Sequence, residues 1–151
     1  MHCSLKSVLV LATSTLLAST AAHAAPDEEV VRAMQRKTTG LSADDIRQNY
    51  DGCDSGVTMK MRICGSYRLT QEDLRLNKAY EKASAKAKKA GQSAALLKAQ
   101  RAWIAFRDAQ CPVEGKLGAG GGTAESLFVL SCSTDLTKQQ ADRLDAMAQT
   151  N

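Results

Sequence analysis

An all-α fold, a small antiparallel helical bundle built on a long helical hairpin and stapled by two disulfides, is what this sequence predicts. Three observations carry the prediction. Two long segments, Thr70–Ala90 and Ser93–Cys111, begin and end on helix punctuation and are separated by a very short turn at Gly91. Apolar residues in the first recur at spacings of three and four, and no β-rich region stands out. Four cysteines remain after residue 24, in a chain whose aromatic share is 4% and whose apolar content leans on alanine. A core that thin calls for covalent staples.

Residues 1–24 read as a secretory signal peptide. Lys6 makes the positive start, Ser7–Ala22 is a mostly apolar run, and Ala22-His23-Ala24 puts small residues where a signal peptidase needs them, with cleavage before Ala25. The run is too short and too rich in Ser and Thr to remain as a bilayer span. Cys3 precedes it and no cysteine stands just after it, so the product is expected to be soluble and not lipid-anchored, in the periplasm or secreted. Cleavage leaves 127 of the 151 residues, enough for one domain, and removing Lys6 lowers the formal charge from +4 to +3. So mild a charge does not call for nucleic acid.

Residues 25–50 form a polar leader, partly helical or mobile. Pro26 followed by Asp27-Glu28-Glu29 suits a helix start running to about Lys37. Ser42 with Asp45 offers a capping pair for a short helix to Tyr50, and Asp51-Gly52 breaks the chain. The main domain is expected over 51–151. Thr70 caps the first long helix, with Gln71-Glu72-Asp73 in its first turn and Gly91 as terminator. Leu76, Tyr80, Ala83 and Ala87 share one face; Lys78, Lys82, Lys86 and Lys89 lie opposite, as a solvated back or a dock for anionic polymers. The second helix is expected to stop at Pro112, leaving Pro112–Thr123 as a glycine-rich loop. No strand precedes those glycines and no Gly-Lys-Ser/Thr closes them, so a phosphate loop is not indicated. Ala124–Ala148 reads as a third helical stretch, in two pieces if Thr137 and Gln140 cap a restart.

The chemistry open to the mature chain is narrow. Both histidines, His2 and His23, lie in the signal-peptide segment. No cysteine pair has zinc-site spacing, so no metal and no cofactor is expected, and an even cysteine count without histidine argues against a thiol nucleophile. Carboxylates such as Glu72, Asp73 and Glu81 sit at positions expected to be exposed, and nothing marks them for acid–base work. The chain is read as a non-enzyme. Four cysteines permit three pairings; Cys53–Cys64 and Cys111–Cys132, each closing a local loop, are preferred. Gln100, Trp103, Arg107 and Cys111 form one stripe on the second helix, with Asp108 beside it. In the structural reading Trp103 anchors the hairpin and Arg107 meets a buried carboxylate or helix-end carbonyls; in the functional one Arg107 and Asp108 touch a partner.

Three blocks of this sequence resemble the LprI-type lysozyme inhibitor family. They are Cys53 and Cys64 with Ile63 between them; Leu76-Asn77-x-x-Tyr80; and Gln100-x-x-Trp103-x-x-x-Arg107-Asp108-x-x-Cys111, followed by Gly121-Gly122, Cys132 and Leu136-Thr137. The resemblance covers about Gly52 to Ala148. It departs at Lys60, where an acidic residue is usual, and at Gln140, where an arginine is usual. It implies a helical domain with a disulfide-clamped hairpin and an exported protein that inhibits lysozyme by direct binding. The glycine loop and its clamp, read physically, make Lys116 and Arg107 candidate contacts for that enzyme's catalytic carboxylates. The competing expectation is a non-catalytic envelope module that recognises anionic glycans, lipid head groups or another envelope protein.

Overall fold

The computed structural model describes residues 24–149. The signal-peptide reading therefore lies outside the described residues, apart from Ala24. The elements are α1 (Glu28–Lys37), α2 (Ala43–Asn49), a 3-10 turn at Gly52–Asp54, α3 (Thr58–Lys89), α4 (Ser93–Ala119) and α5 (Glu125–Gln149), with no strand among the described residues. No helix among these residues is long and apolar enough to cross a membrane.

Local chemistry explains most boundaries. The Asp27 side chain accepts from the Glu29 N–H and opens α1. Ser42 and Asp45 form a reciprocal capping box on α2. At the end of α3, Gly91 takes a left-handed φ of 67°, and the Gln92 N–H reaches back to the Ala87 carbonyl at 2.8 Å. That bond and the Gly91 N–H to Lys88 carbonyl bond make a Schellman stop, which turns the chain at once into α4.

Three expectations need correction. α3 begins at Thr58, not Thr70, and has 32 residues. Thr70 is buried and donates its hydroxyl to the Ser66 carbonyl at 2.8 Å, a bond that keeps a threonine inside a helix and imitates a cap in the sequence. α4 does not stop at Pro112 but runs to Ala119, so the glycine loop shrinks to a turn around Gly120–Gly122. Pro112 removes one N–H from the helix ladder, yet the segment beyond it is held from outside. Cys111 is bonded to Cys132 of α5, and Gly115 packs so close to α5 that an added Cβ would lie 2.5 Å from the Val129 side chain. Third, α5 is unbroken: Thr137 is fully buried and starts no new helix.

The bundle is closed by α5. It packs most extensively along α3 and also along α4, whereas α3 and α4 touch one another only sparsely. One core joins Leu76, Ala79 and Ala83 of α3 to Leu96 of α4 and Ala141 and Leu144 of α5, with Tyr80, Ala87 and Trp103 packed against it. The alanines let the helix axes approach. A second core docks the leader: Val30, Val31, Met34 and Ile46 close over Tyr67 of α3. The Asp27 N–H donates to the Tyr67 hydroxyl at 2.6 Å, and Arg47 forks onto Glu28 at 2.8 and 3.0 Å. Residues 28–49 are thus a packed part of the fold. Each fully buried aliphatic side chain there contributes about 2 kcal/mol before entropy is counted. Cys53 of the 3-10 turn is bonded to Cys64 of α3.

Candidate functional site

The stripe on α4 faces inward. Arg107 is 17% exposed and lies over the Trp103 ring, 5.3 Å from its centroid. Its Nη1 donates to Asp73 of α3 at 3.2 Å and to the buried Thr137 hydroxyl of α5 at 3.1 Å, and its Nε to Asp108 at 3.0 Å. One guanidinium therefore ties three helices together. Asp73 also receives Lys37 of α1 at 2.7 Å, so the expectation of an exposed Asp73 is corrected: it is partly buried between two cations. Gln140 donates to Gln100 at 3.0 Å and closes the next contact between α5 and α4.

A groove of about 490 Å³ runs beside this network, lined by Lys37, Asp73, Leu76, Asn77, Tyr80, Leu97, Gln100, Arg101, Ile104 and Arg107. The Leu76-Asn77-x-x-Tyr80 block and the Gln100–Arg107 block meet there. Among the described residues no group of three or more His, Cys, Asp or Glu side chains is placed to hold a metal ion.

Lys116 lies elsewhere, nine residues further along α4 than Arg107 and roughly 14 Å along its axis. Its side chain is 67% exposed, with Nζ 3.8 Å from Glu125, and Leu117 is 80% exposed. The two candidate contacts are therefore not brought together. The end of the molecule around Lys116 is braced rather than loose. Gly118 approaches the Phe128 ring so closely that an added Cβ would lie 2.8 Å away, and the Gly120 N–H closes α4 on the Lys116 carbonyl. A shallow groove of about 560 Å³ beside the turn is lined by Arg62, Ser66, Gly122, Glu125, Ser126, Val129 and Leu130. Arg62 thereby joins the same end. Sequence reasoning missed it, because 54 positions separate it from Lys116 and only the packing of α3 against α5 relates them.

The lysine back of α3 is partly taken up in the fold: Lys78 pairs with Glu29 and Lys82 with Asp145, both at 3.1 Å. Arg75 bridges Glu72, Asp142 and Asp145. A hydrogen bond from Arg75, then one from Lys138, holds the Asp142 carboxyl below its ordinary value. Hydrogen bonds from Arg47 and from Ser42 do the same for Glu28 and Asp45. Burial pushes the Tyr67 hydroxyl up. These are the electrostatics of a surface-laced bundle. None of them isolates a proton donor or acceptor in a cleft.

The three blocks lie together in one helical domain with both disulfides formed, and the family model described as "Lysozyme inhibitor LprI" matches residues 52–144. The chain belongs to the LprI family. The uncharacterized protein R02472 of Rhizobium meliloti (strain 1021) is 34% identical over 113 residues, covering 66% of this chain and 81% of that protein. No solved structure matches the chain. The match to the LprI family spans α3, α4 and most of α5, together with the 3-10 turn that carries Cys53. α1 and α2 lie outside it although they pack on Tyr67.

Proposed function

We propose that this protein binds lysozyme directly and inhibits it, and that the braced end carrying Lys116 makes the contact. The observation that supports this reading is the pairing of exposure with rigidity. Lys116 and Leu117 stand out from the last turns of α4, while the Cys111–Cys132 bond and the Gly115 and Gly118 contacts hold that helix end against α5. A preorganised cation with an apolar neighbour suits a cleft whose working groups are a pair of carboxylates, as in glycoside hydrolases. Little ordering entropy is lost when such an end docks.

Electrostatics sets the form of the encounter. A net positive charge, +4 for the full chain and +3 once residues 1–24 are removed, gives no long-range attraction to a cationic enzyme, so affinity has to come from local complementarity at Lys116 and Arg62. Arg107 acts from inside, holding α4 against α3 and α5, and is not itself at the contact. The oxidising compartment to which a signal peptide at residues 1–24 would send the chain is the one in which both disulfides persist.

The test is a lysis assay with the oxidised protein, run against several lysozyme classes, beside Lys116→Ala, Leu117→Asp and a reduced and alkylated control. Saturable inhibition, weakened at least tenfold by either substitution without loss of helix content, supports the reading. Inhibition untouched by both substitutions removes this end from the mechanism. A second reading is favoured by one observation: no carboxylate occurs between Lys82 and Arg107, while Lys88, Lys89 and Lys98 are exposed at the hairpin end. A module that binds anionic envelope polymers through that end loses affinity steeply with salt.

A further inference from the structure

The flank of α4 beside its core-facing stripe carries a second pattern that the family motif does not use, and in its first half Ala95 and Ala99 also line a groove with Ala83 and Ala87 of α3 and Met147 of α5. Ala95, Ala99 and Ala102 in its first half continue into Phe106, Val113 and Leu117 in its second, with Ala109 between, at successive spacings of three or four. Positions so spaced fall on one side of a helix and make a seam for another helix. Every one of them is exposed, Phe106 by 52% and Val113 by 54%. Helices turn such seams toward a partner and leave charged residues to solvent; here the seam runs some six turns without a charge.

We propose that this seam is where a second copy of the chain docks, with the two α4 helices antiparallel about a twofold axis near Phe106. The argument for a second copy is self-complementarity, which an isologous interface requires. The seam is small at one end and large at the other. Antiparallel pairing about Phe106 sets Ala95 against Leu117 and Ala99 against Val113, so each layer holds one small and one large side chain. Ala102 falls beside Ala109 and Gln110 of the other copy, which leaves space for the two Phe106 rings between them. A parallel pair would stack Leu117 on Leu117 and Ala95 on Ala95, holding one end apart while leaving the other hollow.

The area sets the strength. The seam is ~33 Å long, and half the circumference of a helix ~10–12 Å across is covered, giving about 500 Å² per copy and about 1,000 Å² in total. That is the lower bound for a specific interface, so the dimer is expected to be weak and reversible. Lys98 and Lys116 lie on the same flank of the seam, and antiparallel pairing brings each toward the other across it. Salt therefore strengthens the association, the opposite of what an acidic partner would show.

The test is sedimentation equilibrium of the oxidised full chain, as recovered from an oxidising compartment, up to about 1 mM. The expected result is a concentration-dependent dimer that tightens with salt. Phe106→Glu, which sets two carboxylates together at the axis, weakens it more than tenfold while leaving helix content and thermal midpoint unchanged. Orientation is read by disulfide trapping: a mixture of the single variants Ala99→Cys and Val113→Cys cross-links one to the other, and neither cross-links efficiently to itself. A monomer throughout this range overturns the proposal. So does a dimer indifferent to Phe106→Glu, or one that forms 113-to-113 cross-links. If the chain stays monomeric and Phe106→Glu instead abolishes lysozyme binding, the seam belongs to that enzyme and the proposal also falls.

Discussion

Replacing Arg107 with Met separates its two readings by the size of the stability loss. The guanidinium is 17% exposed and meets Asp73, itself 23% exposed at the side chain, together with the Thr137 hydroxyl, which lies at full burial. Methionine keeps the apolar stem over Trp103 but leaves that hydroxyl with one partner fewer and Asp73 with Lys37 alone. Truncating one side of a well-buried pair costs about 3–5 kcal/mol, and an orphaned buried hydroxyl about 1–3 kcal/mol. Lys37 still compensates Asp73, and partial exposure screens the pair, so we expect a loss of about 3 kcal/mol. For a domain of this size that is roughly 10 °C in midpoint. Arg107→Lys keeps the charge but not the fork that reaches Asp73, Thr137 and Asp108 together, and recovers less than half of the loss. The assay is thermal and urea unfolding of the oxidised proteins followed by circular dichroism. A stability within about 0.5 kcal/mol of the parent for Arg107→Met would refute the reasoning. If lysozyme inhibition fell at the same time, Arg107 would be a contact residue after all.

The remaining predictions concern the clamp, the close contacts and pH. Gly115→Ala puts a Cβ 2.5 Å from Val129 and 3.2 Å from the Glu125 carbonyl, backbone that cannot yield easily, and is expected to cost about 2 kcal/mol. Gly118→Ala meets only the exposed Phe128 ring and costs less; equal losses in urea unfolding would sink the distinction. Replacing Cys111 and Cys132 together by Ser opens a 21-residue separation and lowers stability by about 3 kcal/mol. Hydrogen exchange should then quicken first over residues 113–119, beyond Pro112, and uniform protection there would contradict the clamp. Glu28, Asp45 and Asp142 have lowered folded-state pKa values, so their contribution is present above the ordinary carboxylate range and is lost as pH falls below about 4. Tyr67 is raised by burial, so its contribution holds below about pH 10 and is lost above it, seen as release of α1 in a tyrosine absorbance titration. A midpoint flat from pH 5 down to 2 would argue against the carboxylate part.

What the sequence discloses here is what neighbouring residues decide between themselves. Ser42 with Asp45 makes its capping box, Gly91 makes its stop, and Leu76, Tyr80, Ala83 and Ala87 form the core face that their spacing describes. The misread boundaries are places where a distant contact overrides a local signal. Thr70 looks like a cap because a hydroxyl that bonds back to Ser66 uses the same residue type. Pro112 looks like a stop because nothing adjacent shows that Cys132, Val129 and Glu125 will hold the next two turns. The leader looks unanchored because its few apolar residues, Val30 to Ile46, find Tyr67 only across a long stretch of intervening chain. The same limit applies to the site. That Arg107 needs a carboxylate follows from its place beside Trp103 and Cys111; that Asp73 supplies it, shared with Lys37, follows only from how three helices cross.

This limit bears on what membership of the family means physically. Gln100, Trp103, Arg107 and the two disulfides are spent on holding helices together, and Gln100 and Arg107 do so across three of them. A motif made of such residues reports a frame. Binding has to be written on what the frame leaves outside: Lys116, Leu117 and Arg62 at the braced end, and the outer seam of α4. Substitutions inside the frame should therefore reduce inhibition only as far as they unfold the protein. Substitutions outside it should alter affinity at constant stability. Plotting inhibition against unfolding free energy for Arg107→Met, Gly115→Ala, Lys116→Ala and Leu117→Asp tests the division directly. If the first two fall with stability and the last two lie off that line, frame and contact are separate. If all four lie on one line, the braced end is only more frame, and the partner surface is elsewhere.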